Sequence, residues 1–315
     1  MSAGSAPWLP RQGTRYGRIE LYAVHWKRTL ALAGAFCAGI QSGQNVTWLL
    51  LLSTVLATVA LVMPAVALLL WAQKAFPIEP AQPPAALRVD FELAALNIVP
   101  KLVLGPLLGA CAALIVRAAG GGLIPLRADG WWFVVALGAY ILATDVVAYF
   151  IHRAQHRVPI LWAMHSLHHS AEALTLVTGA RHFWIEQLLL TAFFPVVAIL
   201  FRTPDMVVLV AAAFYFLFDA CVHVNIRVPF RAFSLVVNNP QFHRIHHSVR
   251  PEHTNKNFCK LLPLLDILFG TLHRPAPDDF PATGLAGGMK PSGWRDGLMW
   301  PLRYLPGRVP SRSGT

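Results

Sequence analysis

The sequence predicts an all-α integral membrane protein: a polytopic helical bundle of about four to six spans with a histidine-rich helical cap on its cytoplasmic side. Three observations predict it. Hydrophobic residues make up 56% of the chain and charged residues only 13%, with a mean hydropathy of +0.51, too apolar for an ordinary soluble domain. No Asp, Glu, Lys or Arg occurs between Thr29 and Gln73, where about 20 apolar residues suffice to cross a bilayer. Eight of the thirteen histidines gather in three short clusters beside the later apolar runs.

A basic segment, 1–28, with Arg11, Arg15, Arg18, Lys27 and Arg28, precedes the first apolar run. Within that run QSGQN, Gln41 to Asn45, predicts a turn between a short helix at Thr29 to Ile40 and a longer one at Val46 to Ala72. Further spans are predicted at Phe91 to Val116, Gly130 to Ile151, Phe183 to Phe201 and Met206 to Val222. The connections PIEPAQPPAALR and RAAGGGLIPLRADG carry the prolines, glycines and charges that interrupt membrane helices. Twelve Lys and Arg against five Asp and Glu follow His223. Positive charge favours the cytoplasmic side, so both ends are expected there, which requires an even number of crossings, six if the first run is a hairpin. The chain divides accordingly into the basic segment, membrane helices and loops over 29–129, a histidine-bearing domain over 130–275, and a Pro/Gly/Arg-rich tail over 276–315.

The net charge of +11 does not indicate nucleic acid. No aromatic–basic pattern for stacking bases is present, and the basic residues flank apolar runs, as membrane orientation requires. Cys37, Cys111, Cys221 and Cys259 are far apart and form no CxxC pair, so neither a disulfide framework nor a thiolate zinc site is indicated.

The clusters are HRAQH with His152 and His156, HSLHH with His165, His168 and His169, and HRIHH with His243, His246 and His247. Positions i, i+3 and i+4 share one face of a helix, so each cluster is expected to present its imidazoles in one direction. Neutral imidazole ligates iron, zinc, copper or nickel. Eight exceed the needs of one ion and suit a pair of metals sharing a bowl of ligands, with positions left open for a small reactant. A lone histidine near a membrane interface is usually a hydrogen-bonded structural residue. Three clusters resist that reading, because each buried imidazole without a partner costs about 1–3 kcal/mol. Their position at span ends sets the expected site at the cytoplasmic membrane face, where a lipid can enter sideways from the bilayer.

Between Asp145 and Thr271 the chain resembles the fatty acid hydroxylase and sterol desaturase superfamily of membrane di-iron oxygenases. The resemblance rests on DVVAYFIHRAQH, HRVPILWAMHSLHHS, HVN at His223 to Asn225, PQFHRIHHS, and DILFGT at Asp266 to Thr271. It implies a di-iron catalytic domain over 130–275, two Fe ions, O2 as co-substrate and an external electron donor. Position by position, it implies that His152, His156, His165, His168, His169, His243, His246 and His247 are iron ligands. His223 is a ninth candidate, whose alternative is an interfacial histidine bonded to a backbone carbonyl. His182 directly follows Arg181 in RHFWIE, whereas the family often sets this histidine one residue further on. The chain also departs from the family in having Asn257-Phe258-Cys259 for N-[YF]-G and Leu265 for the Trp before the closing Asp. Loss of that Gly removes easy access to positive backbone angles, so a different loop is expected there.

An acid inside a span is costly. Asp145, two turns before His152, is therefore assigned to the chemistry as the group that orients His152 or holds a nearby tyrosine. Asp219, one turn before His223, invites the same reading, while Glu186 and Lys101 are read as snorkelling or paired. The expected function is O2-dependent hydroxylation of a membrane lipid, fatty acyl or sterol-like, at a bacterial inner membrane. Electrons are expected from a separate ferredoxin or cytochrome with its reductase, since no GxGxxG fingerprint appears. Lipid desaturation on the same centre is one alternative, and a membrane metal transporter or metal-binding protein is another.

Overall fold

In the computed structural model the described residues are 62–79, 82–186, 188 and 194–304. The basic N-terminal segment, the predicted hairpin arm at Thr29 to Ile40, its QSGQN turn, most of the helix predicted at Val46 to Ala72 and the end of the tail lie outside them. The compact unit that begins at Pro64 holds every histidine of the three clusters.

The described chain is mostly helical. An apolar helix, α1 (Val62–Ala75), leads to α2 (Pro84–Ala118), α3 (Trp132–Arg157) and α4 (Pro159–His169). There follow α5 (Phe194–Leu200), α6 (Asp205–Val222), α7 (Pro240–His246), α8 (Leu264–Leu268) and α9 (Trp294–Leu298). Among the described residues, α2, α3 and α6 are long and apolar enough to cross a membrane, matching three predicted spans. The run predicted as a span at Phe183 to Phe201 is described only in part. Its last turns form α5, which ends in a short parallel pairing of β1 (Ile124–Pro125) with β2 (Phe201–Arg202), a pair the all-helical expectation lacks. Gly122 makes this approach possible: at φ +95°, an added Cβ would stand 2.7 Å from the Arg202 nitrogen.

Helix α2 exposes Val99, Leu102 and Leu114 and buries one polar-lined stripe, Asp90, Leu93 and Asn97. That spacing is one helical face. Leu93 joins Met164, Leu167, Phe183 and Trp300 in one apolar cluster, so α2 and the C-terminal segment pack around α4. A second cluster, with Ala136, Tyr140, Val207 and Ala211, joins α3 to α6. A third, with Tyr149, Phe242, Phe258, Cys259 and Leu265, packs the end of α3 and α7 under the loop 256–263.

Prolines set the breaks that matter for the site. Pro159 cannot extend α3 and holds Val158 extended (ψ 120°), then serves as the first residue of α4. The chain thereby folds the second histidine cluster against the first. Pro240 likewise opens α7, whose cap is Asn239, its side-chain oxygen accepting from the Phe242 nitrogen at 3.0 Å.

Candidate metal centre

The three clusters and His223 converge at the ends of α3, α4, α6 and α7. One ligand atom from each of His152, His156, His165, His169 and His246 lies within 4.8 Å of the others, and the same holds for His168, His223, His243 and His247. All nine expected residues are thus brought together, in two groups. The expectation that each cluster points one way needs correction. The i, i+4 pairs 152/156, 165/169 and 243/247 each stay within one group, while His168 and His246, the i+3 members, cross to the other. The groups touch: the His169 and His247 rings stack with centroids 4.3 Å apart.

Four of the imidazoles are fixed through Nδ1. His152 Nδ1 donates to the Phe258 carbonyl at 2.8 Å, His246 Nδ1 to the Lys256 carbonyl at 2.9 Å, and His223 Nδ1 to the Asp219 carbonyl at 2.7 Å. His165 Nδ1 donates to Glu186 Oε1 at 2.8 Å. These oxygens can only accept, so each Nδ1 carries a proton, and each ring in its neutral form turns a bare Nε2 lone pair inward. His152 Nε2 and His165 Nε2 nevertheless stand 3.2 Å apart, and His223 Nε2 faces His243 Nε2 at 2.9 Å and His168 Nε2 at 3.3 Å. Between rings in their neutral form, with both Nδ1 protons of the 152/165 pair committed elsewhere, that contact is lone pair against lone pair, a spacing that a cation between them relieves. Nitrogens bound at about 2.1 Å and at right angles to one ion would be roughly 3.0 Å apart. His246 Nε2 and His169 Nε2 are buried without a hydrogen-bond partner. The residues present therefore fit metal ions, one per group.

Protonation favours the same fit. Burial first, and then the neighbouring imidazoles, hold His168, His169, His243 and His247 well below the ordinary imidazole range. Burial lowers His246 to about 3, although its bond to the Lys256 carbonyl works the other way. All are neutral near pH 7, the form that ligates.

For His223 the two readings coexist: Nδ1 meets a backbone carbonyl, as for an interfacial histidine, while Nε2 faces the second group. Gly179 packs against this ring, where an added Cβ would stand 3.2 Å from His223 Nδ1.

The part expected of Asp145 needs correction. It is fully buried, but its two oxygens accept from the backbone nitrogens of Leu261 at 2.8 Å and Leu262 at 2.9 Å, and it bonds neither His152 nor a tyrosine. Asp266 does the same for the adjoining residues, accepting from the Phe258 nitrogen at 2.8 Å and the Cys259 nitrogen at 2.9 Å. Between them the carboxylates pin the loop whose carbonyls orient His152 and His246. Asp219 also acts through its backbone oxygen, its carboxylate lying 3.8 Å from Lys260 Nζ. The loop accommodates Cys259 without strain, since the positive angle falls at Asn257 (φ 59°) and Cys259 is buried in the third apolar cluster.

Glu186 carries more than its sequence reading gave it. Its Oε1 accepts from Gln155 Nε2 at 2.7 Å, His165 Nδ1 at 2.8 Å and His182 Nδ1 at 3.1 Å. An acid in an apolar run, four residues after a histidine, was the available signal. His182 stands outside both groups, stacked on His168 with centroids 4.4 Å apart. Lys101 is exposed on α2, as a snorkelling residue would be. Arg181 spans the end of α4: it donates to Asp90 Oδ1 at 2.5 Å and to Ser170 Oγ at 2.8 Å, and so places a cation at the helix C-terminus just after His169. Asn225 and Arg244, from the HVN and HRIHH motifs, hold the segment at Ile78 and Glu79, Arg244 through an ion pair with Glu79.

Residues 137–271 match the family model described as Fatty acid hydroxylase. Alkylglycerol monooxygenase of Danio rerio is 32% identical over 141 residues, 45% of this chain and 30% of the relative. Ornithine lipid hydroxylase OlsE of Rhizobium tropici is 31% identical over 155 residues, 48% of this chain and 46% of the relative. Very-long-chain aldehyde decarbonylase GL1-1 of Oryza sativa is 30% identical over 155 residues, 46% of this chain and 24% of the relative. The chain thus spans less than half the length of each of these relatives, and no solved structure matches it significantly. The matched segment contains all nine grouped histidines together with Asp145, Glu186 and Asp266, and residues 137–271 are a fatty acid hydroxylase domain of the fatty acid hydroxylase and sterol desaturase superfamily.

Proposed function

We propose that this protein is a di-iron, O2-dependent hydroxylase acting on a C–H bond of a fatty acyl or sterol-like membrane lipid. The observation that carries the proposal is the contact between His152 Nε2 and His165 Nε2 at 3.2 Å, with both Nδ1 protons committed to acceptors. The matched relatives, a monooxygenase and a hydroxylase of lipids among them, supply the reaction class. Iron there would supply O2 activation with two electrons and two protons, one oxygen atom entering the lipid and the other leaving as water.

The chain's own residues hold and shield the site. Nine imidazoles in groups of five and four form the ligand bowl. Glu186 and the carbonyls of Phe258, Lys256 and Asp219 fix four rings in one tautomer, and such partners also raise ligand basicity. Burial of eight of the nine excludes bulk water from the reacting atoms. His152 and His156 stand in the last turns of α3 and His223 at the end of α6. Ligands at helix ends suit a site at one membrane face, open to lipid from the bilayer. A transporter would need them near the middle of its spans. The excess of basic residues beyond His223 makes that face the cytoplasmic one, in a bacterial inner membrane, and a ferredoxin or cytochrome with its reductase would deliver electrons from the aqueous side.

Metal analysis and X-ray absorption on anaerobically purified protein test the centre. Two irons per chain in nitrogen-rich coordination are expected. Stoichiometric zinc in active protein from iron-replete cells would overturn the di-iron assignment.

A further inference from the structure

A further group of ligating residues lies apart from the nine grouped histidines and shares none of them: His253, His273 and Asp279. His253 ends the 3-10 turn Pro251–His253 after the third cluster, His273 follows the closing DILFGT motif, and Asp279 sits in the tail segment beyond it. The tail is tied back beside them by an isolated antiparallel bridge between Ser248 and Thr283. We infer that these three side chains form a separate binding site for a borderline divalent cation, zinc being the ion its donors suit, which clamps the tail to the turn after the third histidine cluster.

The donor atoms lie within 4.8 Å of one another, and His253 Nε2 is 3.8 Å from Asp279 Oδ2. That separation is too long for a hydrogen bond. Two donors held at about 2.1 Å by one ion stand roughly 3.0–4.2 Å apart. The His253 and His273 rings meet edge to face with centroids 4.4 Å apart, within the range found among the nine grouped histidines. His253 is buried, at 2% exposed, so its ring position is set by the surrounding chain. Burial, and after it the His273 ring, lowers His253 below the ordinary imidazole range, which leaves it neutral and able to ligate.

Asp279 is oriented for this role. Its Oδ1 accepts from Arg250 Nη1 at 2.8 Å, while Oδ2 is the oxygen nearest His253. His273 and Asp279 are half-buried, so an ion can enter from solvent. Two imidazoles and one carboxylate, without thiolate, select a borderline ion over calcium or magnesium, and leave a fourth position for water. The consequence reaches the main centre through the tail. The Ala276 carbonyl accepts from Gln241 Nε2 at 2.8 Å and the Pro281 carbonyl from Arg244 Nε at 2.7 Å, both on α7 beside His243 and His246.

The test is zinc titration of the iron-loaded full chain in detergent, with iron and zinc counted in the same sample after gel filtration. Wild type should take up one zinc beyond its iron and gain a higher melting temperature. Asp279→Asn and His273→Gln should bind that zinc at least tenfold more weakly with iron content unchanged. Absence of zinc uptake by the iron-loaded wild type, or retention of it by both variants, overturns the site. Zinc-edge absorption of the wild type decides the matter even if the variants fold poorly: two imidazoles with oxygen ligands support the assignment, and oxygen-only or sulfur coordination contradicts it.

Discussion

His152 Nδ1 donates to the carbonyl of Phe258, 106 residues further along the chain, at 2.8 Å. A side chain of the first histidine cluster is thus aimed by backbone, and that backbone is in turn held by two buried carboxylates. Asp266 takes the nitrogens of Phe258 and Cys259, and Asp145 those of Leu261 and Leu262. The acid inside α3 acts on the centre through a loop.

Asp145→Asn keeps the shape but offers one acceptor where two N–H groups converge, so one donor faces an amide NH2. A buried donor left unmet costs about 1–3 kcal/mol. A lower unfolding midpoint and slower turnover per bound iron are expected, with most of the metal retained. Since Asp266 pins the same loop, combining the change with Asp266→Asn should cost less than the sum of the two singles. Wild-type stability and turnover in Asp145→Asn would break the link drawn between this carboxylate and His152.

Glu186→Gln tests the carboxylate that bonds His165. Oε1 carries all three of its hydrogen bonds and Oε2 is buried without one. A glutamine with its amide nitrogen in the Oε2 position keeps the three contacts and removes the charge, but leaves its NH2 buried without an acceptor. Changes behind a ligand typically cost about 10- to 100-fold in metal affinity or activity, and a loss of that order in iron affinity is expected, together with a lower metal-free melting temperature from the unmet NH2. Unchanged iron affinity would reduce Glu186 to a packing role.

His223→Ala should act unequally on the two groups, because it takes one of four imidazoles from the smaller group and none from the larger. Iron content per chain is expected to fall from two toward one, with the remaining ion's absorption edge features unaltered. Retention of both irons would return His223 to the interfacial role.

Acid should destabilise the metal-free chain. Unfolded imidazoles titrate near 6.5, whereas His246 in the folded chain titrates at about 3 and His168, His169, His243 and His247 are shifted the same way. Between those values the unfolded chain binds more protons, so the stability is complete above about pH 6.5 and is lost as pH falls toward the folded value. Urea midpoints should therefore drop between pH 7.5 and pH 5. Equal midpoints would contradict the neutral, buried state of these rings.

Much of the site was legible because its signals are local. The i, i+3, i+4 spacing marks the clusters, Pro159 and Pro240 mark the helix starts that present them, and three predicted spans fall on α2, α3 and α6. The rest depends on contacts that spacing does not encode. Spacing says that His165, His168 and His169 share a helix face, but only the position of α7 and the end of α6 decides that His168 faces one group and its neighbours the other. Asp145 stood out as a buried acid, yet its partners are backbone nitrogens 116 and 117 residues away. Glu186 looked like any acid in an apolar run until folding set it 2.8 Å from His165.

The central claim is that this centre puts an atom of O2 into a membrane lipid, and growth of expressing cells under 18O2 tests it most directly. Lipid from wild-type cells should contain a species heavier by one labelled oxygen, absent from cells carrying His246→Ala, which removes a ligand from the larger group and leaves every span intact. A new lipid lacking two hydrogens and carrying no label would mean desaturation. Identical lipid profiles in wild type and His246→Ala, with altered cellular metal content, would contradict the hydroxylase account altogether.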